Sequence, residues 1–158
     1  MTDRISERHV KIMFPLEQDE DGYPPATTES LWAIDVGAGL YQIDNIPFFA
    51  TGIALNDIVS AKLEHGALQY EEVVRASGHS TLRVIAYDTS QMPAVRAFFE
   101  QMGCSTELSH LPSLVAIDVP PTVAFEPLRQ VLASGREQDR WDYEEACLGN
   151  VDLQSSTP

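Results

Sequence analysis

Basic residues are scarce: 10 Lys and Arg stand against 24 Asp and Glu in 158 residues, a net charge of −14. The summed field of such a surface repels phosphate backbones and anionic headgroups, so nucleic acid and anionic membranes are not expected partners. Long apolar runs are also missing. None approaches the roughly 18 residues of a membrane span, and the opening Met1-Thr2-Asp3-Arg4-Ile5-Ser6-Glu7-Arg8 has no apolar region of the signal-peptide kind. Cysteine is limited to Cys104 and Cys147, far apart and in no CxxC pair, which reads as two separate thiols in a reducing compartment. The expected location is the cytoplasm. What the chain does have is 44% hydrophobic residues, enough to bury a core.

The first half reads as all-β. Val10, Ile12, Phe14 and Leu16 alternate with Lys11, Met13 and Pro15, the period of a strand with one buried face. An acidic loop, residues 17–27, leads to a second alternation over Ser30 to Val36, and Gly37-Ala38-Gly39 turns that strand into Leu40-Tyr41-Gln42-Ile43. Ile46-Pro47-Phe48-Phe49 is apolar but broken by proline, and reads as a loop that tucks two rings inward. Strands over Asp57 to Glu64 and Ala67 to Arg75 meet at His65-Gly66.

The rhythm changes at Ser77-Gly78-His79-Ser80. A strand from Thr81 to Tyr87 is followed by a helix capped by Thr89 or Ser90, with Val95, Phe98, Phe99 and Met102 on one face and Gly103 at its end. Strands near Cys104 to Leu108 and Leu114 to Val119 come next, then a helix presenting Phe125, Leu128, Val131 and Leu132. Trp141 to Glu145 alternates aromatic and acidic residues and fits a closing strand. The expectation is an α+β protein in which an N-terminal small β-barrel-like sheet, residues 9–76, packs on a C-terminal ferredoxin-like β-α-β-β-α-β half, residues 77–148. Residues 1–8 are expected to be flexible and 149–158 a disordered tail. The alternative is a single mixed sheet covered by two helices.

Motifs for chemistry are weak. Glu17-x-Asp19-x-Asp21-Gly22 copies the start of a calcium loop, but the twelfth position is Thr28 and Pro24-Pro25 stiffens the middle, so the reading is a solvated acidic loop. His9, His65, His79 and His110 show no zinc spacing with Cys104 or Cys147. Neither metal nor cofactor is expected. Gly37-Ala38-Gly39 lacks the helix of a phosphate loop. Gly78-His79-Ser80-Thr81, at the join of the halves, is the best place for acid–base chemistry, with His79 as base and Ser80, Asp88 or Glu107 nearby. Without a nucleophile elbow or oxyanion motif, the structural role of a turn is favoured there.

The carboxylate excess is the feature least easily called bland. Glu17, Asp19, Glu20 and Asp21 form one cluster; Glu137, Asp139, Asp142, Glu144 and Glu145 form another, interleaved with Trp141 and Tyr143. Rings ringed by carboxylates suit a basic protein partner, because rings supply buried area and charges steer encounter. Asp19, Asp21, Trp141, Asp142, Tyr143, Glu144 and Glu145 are therefore the candidate partner-binding residues.

The motif set Leu16-Glu17-Gln18-Asp19-Glu20-Asp21-Gly22-Tyr23-Pro24-Pro25, Leu31-Trp32-Ala33, Ile43-Asp44-Asn45-Ile46-Pro47-Phe48-Phe49-Ala50, Gly78-His79-Ser80-Thr81-Leu82-Arg83 and Trp141-Asp142-Tyr143-Glu144-Glu145 resembles a bacterial family known as domain of unknown function 4265. The likeness spans about Val10 to Leu148. It implies bacterial origin and a single-domain habit, and transfers no active site. The expected function is that of a non-catalytic, acidic cytosolic binding protein, such as an immunity or antitoxin-like inhibitor of a basic bacterial protein. The alternatives are a small hydrolase or transferase at the cleft around His79, and a ligand-sensing regulatory domain. The first predicts a monomer in isolation, the last a homodimer.

Overall fold

The computed structural model describes residues 8–149. The expected flexible start, 1–8, and tail, 149–158, thus lie outside the described residues except at Arg8 and Gly149. Among the described residues, nine strands and two α-helices form an α+β fold with two sheets. The first contains β1 (His9–Pro15), β2 (Thr28–Gly37), β3 (Leu40–Ile43), β4 (Ile58–Glu64) and β5 (Ala67–Arg75). Neighbours pair antiparallel in chain order, and β1 also pairs parallel with β5 at Ile12–Leu68 and Met13–Gln69, so the five strands close on themselves. Closure leaves β1 with a neighbour on each side, and Pro15 marks its end. The alternating residues of these strands meet inside: Ile12, Phe14, Leu31, Ala33, Ile43 and Val59 are all buried, and Phe14 stacks on Tyr70 at 4.4 Å.

The second sheet has the order β7-β8-β6-β9, all antiparallel, from β6 (Ser80–Ala86), β7 (Ser105–Leu108), β8 (Leu114–Val119) and β9 (Trp141–Cys147). Helices α1 (Met92–Gln101) and α2 (Phe125–Glu137) connect them. A single mixed sheet is not formed. Strand β6 is buried at nearly every position because it is covered on both faces. Leu82, Val84, Val115 and Ile117 face the helices, where Val95, Phe99, Leu128 and Leu132 complete the core. Each such side chain contributes about 1.5–3 kcal/mol by leaving water.

The first helix departs from the expected cap. Asp88, not Thr89 or Ser90, receives the Ser90 N–H and opens a short 3₁₀ turn, Thr89–Gln91, before α1. Phe98 is more than a third exposed, its edge against Phe99, while Met92 takes a buried place. Gly103 follows α1 with φ +100°, the left-handed geometry of a helix end. No helix among the described residues is long and apolar enough to cross a membrane.

Candidate functional site

The opposite face of the second sheet is polar and still buried. Strand alternation puts Thr81 and Arg83 of β6 and Asp118 of β8 on it, each at most 4% exposed. The segment between β3 and β4 lies over them. Arg83 donates from Nη1 to the carbonyls of Pro47 and Ala50 (3.2 and 2.8 Å), from Nη2 to that of Phe49 (3.0 Å), and from Nε to Glu144 Oε1 (3.1 Å). Glu29 of β2 holds the same turn by its donors, its carboxylate accepting from the N–H groups of Phe48, Phe49 and Ala50 at 2.8–3.0 Å. One loop is thus clamped by two opposite charges, one from each sheet. The Thr81 hydroxyl donates to the Ile53 carbonyl, and the buried Asp57 accepts from Ala54 N–H and Ser77 N–H. This seam joins the halves through satisfied polar groups, which a low-dielectric setting requires.

Two open grooves border the seam. The first, about 330 Å³, is lined by Tyr23, Arg83, Ile85, Leu114, Asp142, Tyr143 and Glu144. It unites the two sequence segments that carry the acidic clusters: the loop containing Asp19 and Asp21 contributes Tyr23, and β9 supplies Asp142 and Glu144. The Tyr23 ring packs edge-on against Phe49 at 6.0 Å, and burial raises its hydroxyl above the ordinary range, with Arg83 opposing and Glu144 and Asp19 reinforcing the shift. Asp19 folds its own loop: Oδ1 accepts from the N–H groups of Asp21 and Tyr23 at 2.9 and 3.0 Å. Asp21 itself stays exposed.

Strand β9 corrects the expected anchor set. Trp141 is 2% exposed, donates its Nε1–H to the Leu132 carbonyl at 3.0 Å, and packs beside Phe99. It is a core residue, because the alternation that turns Asp142 and Glu144 to the groove turns Trp141 to the helices. Glu145 also faces the helix side, in a two-bond pair with Arg129 (2.8 and 2.9 Å) that lowers its pKa, the Arg129 hydrogen bond outweighing the effect of burial. Trp141 cannot anchor a partner, and the Glu145 carboxylate is held by Arg129. Tyr143 carries the Arg136 guanidinium 4.1 Å above its ring. Asp142 Oδ1 receives Arg136, and Glu144 Oε1 receives Arg83, while Asp142 Oδ2 and Glu144 Oε2 have no hydrogen-bond partner among the described residues. Tyr23 was the missed member. It stands two residues past an acidic cluster, but only the fold brings it to β9.

The second groove, about 470 Å³, includes His79, Asp57, Val73, Ala76, Cys147 and Gly149 in its lining. His79 Nδ1 lies 2.9 and 3.0 Å from the two carboxylate oxygens of Asp118. Burial raises the Asp118 pKa, and the bond to His79 pulls the other way. Nε2 makes no hydrogen bond among the described residues. The three residues expected near His79 do not form a site with it. The Ser80 hydroxyl, 2% exposed, accepts the Gly149 N–H at 3.0 Å; Asp88 caps the 3₁₀ turn; and Glu107 lies on β7, which pairs with β8. Burial raises the Glu107 pKa, with Asn45 and the Ile46 backbone pulling the other way. Asp118, which sequence reasoning missed, is hidden in an apolar strand.

These features define an α+β protein in which a closed five-stranded sheet meets a helix-backed four-stranded sheet across a polar seam, with an acidic, tyrosine-lined groove on one side and a histidine–carboxylate pair on the other. Residues 29–143 match the family model described as Domain of unknown function (DUF4265), and the chain belongs to that family. A solved structure described as "Novel crystal structure of a hypothetical protein from Neisseria gonorrhoeae" is similar in fold, with a TM-score of 0.75 and 24% identity, covering 91% of this chain and 98% of that one. No curated protein matches.

Proposed function

We propose that this is a binding protein that receives a cationic side chain of a basic protein partner in the groove between the acidic loop and β9. The observation that carries the reading is the convergence of the two acidic segments on one groove with two tyrosines. Asp142 Oδ2 and Glu144 Oε2 offer acceptors there, and Tyr23, 40% exposed, offers a ring that loses little entropy on contact. The net charge of −14 draws a basic protein from a distance and speeds encounter. Masking such a partner needs surface complementarity and no reactive group, the mode of an immunity or antitoxin-like inhibitor. Cys104 and Cys147 are not joined by a disulfide, which supports placing the protein in the cytoplasm. We also read the second half as ferredoxin-like, on the support of its β-α-β-β-α-β order and its β7-β8-β6-β9 sheet.

The test is fluorescence anisotropy with a labelled arginine nonapeptide across a salt series. Binding that weakens with salt and falls about tenfold in the Asp142→Asn/Glu144→Gln double variant is expected, since two exposed charge contacts are worth about 1 kcal/mol or slightly more together. Equal affinity of the double variant and the unsubstituted chain overturns the reading.

A further inference from the structure

The second groove holds more than a histidine. Asp118 and Cys147 are the cross-strand partners of Thr81 from its two sides, one on β8 and one on β9. All three therefore belong to one face of the sheet, the face turned away from the helices. His79, two residues before Thr81, reaches Asp118 along one diagonal at 2.9 Å. Cys147 pairs with Thr81 just where the register between β6 and β9 shifts, and it lines the same groove as His79. The close approach of the two segments is built in: a Cβ on Gly149 would stand 2.3 Å from the His79 carbonyl oxygen, so glycine is what lets the end of β9 lie against Gly78-His79.

The geometry points to Cys147, His79 and Asp118 as a nucleophilic thiol site that accepts activated acyl groups. Asp118, 1% exposed, fixes the imidazole through Nδ1 and leaves Nε2 for the thiol proton. In the step, the Cys147 Sγ–H proton passes to His79 Nε2, Sγ bonds to the carbonyl carbon, and the bond from that carbon to its leaving group breaks. The leaving group departs with the proton from Nε2, giving an acyl thioester and restoring the neutral imidazole. The other charged groups in the lining of this groove are Asp57, whose carboxylate is spent on two backbone N–H groups, and Glu145, turned to Arg129 on the helix side. Val73, Ala76, Ala146 and Leu148 give the groove apolar walls suited to a short acyl chain. This site is independent of the acidic groove, and neither reading needs the other.

The probe is p-nitrophenyl butyrate on the full chain, with adducts located by peptide mass spectrometry. An acyl adduct is expected on Cys147 and none on Cys104, a core residue whose thiol burial pushes up to about 11. The rate at pH 7 is expected to fall at least tenfold in His79→Asn. The rate–pH profile of the unsubstituted chain is expected to inflect below the ordinary thiol value of about 8.5, which decides the matter even if His79→Asn does not fold. No adduct on Cys147 of the folded chain, a profile inflecting at the ordinary thiol value, or an unchanged rate in a folded His79→Asn variant overturns the assignment.

Discussion

Arg83→Ala is the sharpest perturbation of the seam. Arg83 is 4% exposed and donates four hydrogen bonds, three of them to backbone carbonyls of the loop at Pro47, Phe49 and Ala50. Truncation leaves those carbonyls without their donor, at about 1 kcal/mol or more each, and removes the packing of the side-chain stem. The sum, about 3–5 kcal/mol, equals what breaking a buried ionic contact costs in other proteins. With a urea slope of about 2 kcal/mol/M, the unfolding midpoint followed by circular dichroism should drop by about 1.5–2.5 M. Glu144→Gln takes the charge off the acceptor of the fourth bond, but that side chain is half exposed, so the loss there should stay below about 1 kcal/mol. Arg83→Lys should fall between, since one ammonium cannot span carbonyls that a planar guanidinium bridges. A midpoint shift below about 0.5 M for Arg83→Ala would refute the view that this residue ties the halves together.

Three further outcomes are expected. Gly135→Ala, a change that helps an ordinary helix interior by about 1 kcal/mol, should instead destabilise in a thermal melt, because its Cβ would sit 2.2 Å from the Trp141 ring; a raised melting temperature would show the ring is not packed there. Glu145→Gln should lower stability by about 1 kcal/mol at pH 7 and by less at pH 2. The sign follows from the lowered carboxyl pKa: its contribution is complete above the unfolded value of about 4.3 and is lost as pH falls through the folded value; urea midpoints at the two pH values check it, and an equal loss at both would contradict the ion pair. Finally, Trp141→Phe should cost stability without affinity for the arginine peptide, whereas Tyr23→Ala should cost affinity without stability.

The elements were legible where period and punctuation agreed. The alternation around Ile12 and Phe14, the glycine turn at residues 37–39, and the helix faces built on Val95 and Leu128 each follow from local pattern, and the strands appear within a residue or two of where those patterns put them. The site was less legible because its polar members come from segments distant in sequence. Nothing local to Arg83 announces that it will meet three carbonyls of residues 47–50, and Asp118 sits in a strand that reads as plain core. The error at Trp141 has a related cause. An alternating aromatic–acidic strand reads as rings and charges on one surface, yet a period of two sends them to opposite faces. Only Tyr143, at the rim, serves both.

The most direct test of the central claim is an amide chemical-shift map of the isotope-labelled chain titrated with the arginine nonapeptide. The account predicts perturbations concentrated at Tyr23, Asp142, Tyr143 and Glu144 and fading with added salt. Shifts spread evenly over other exposed acids, such as Glu64, Glu71 and Glu137, with no focus at the groove, would contradict it.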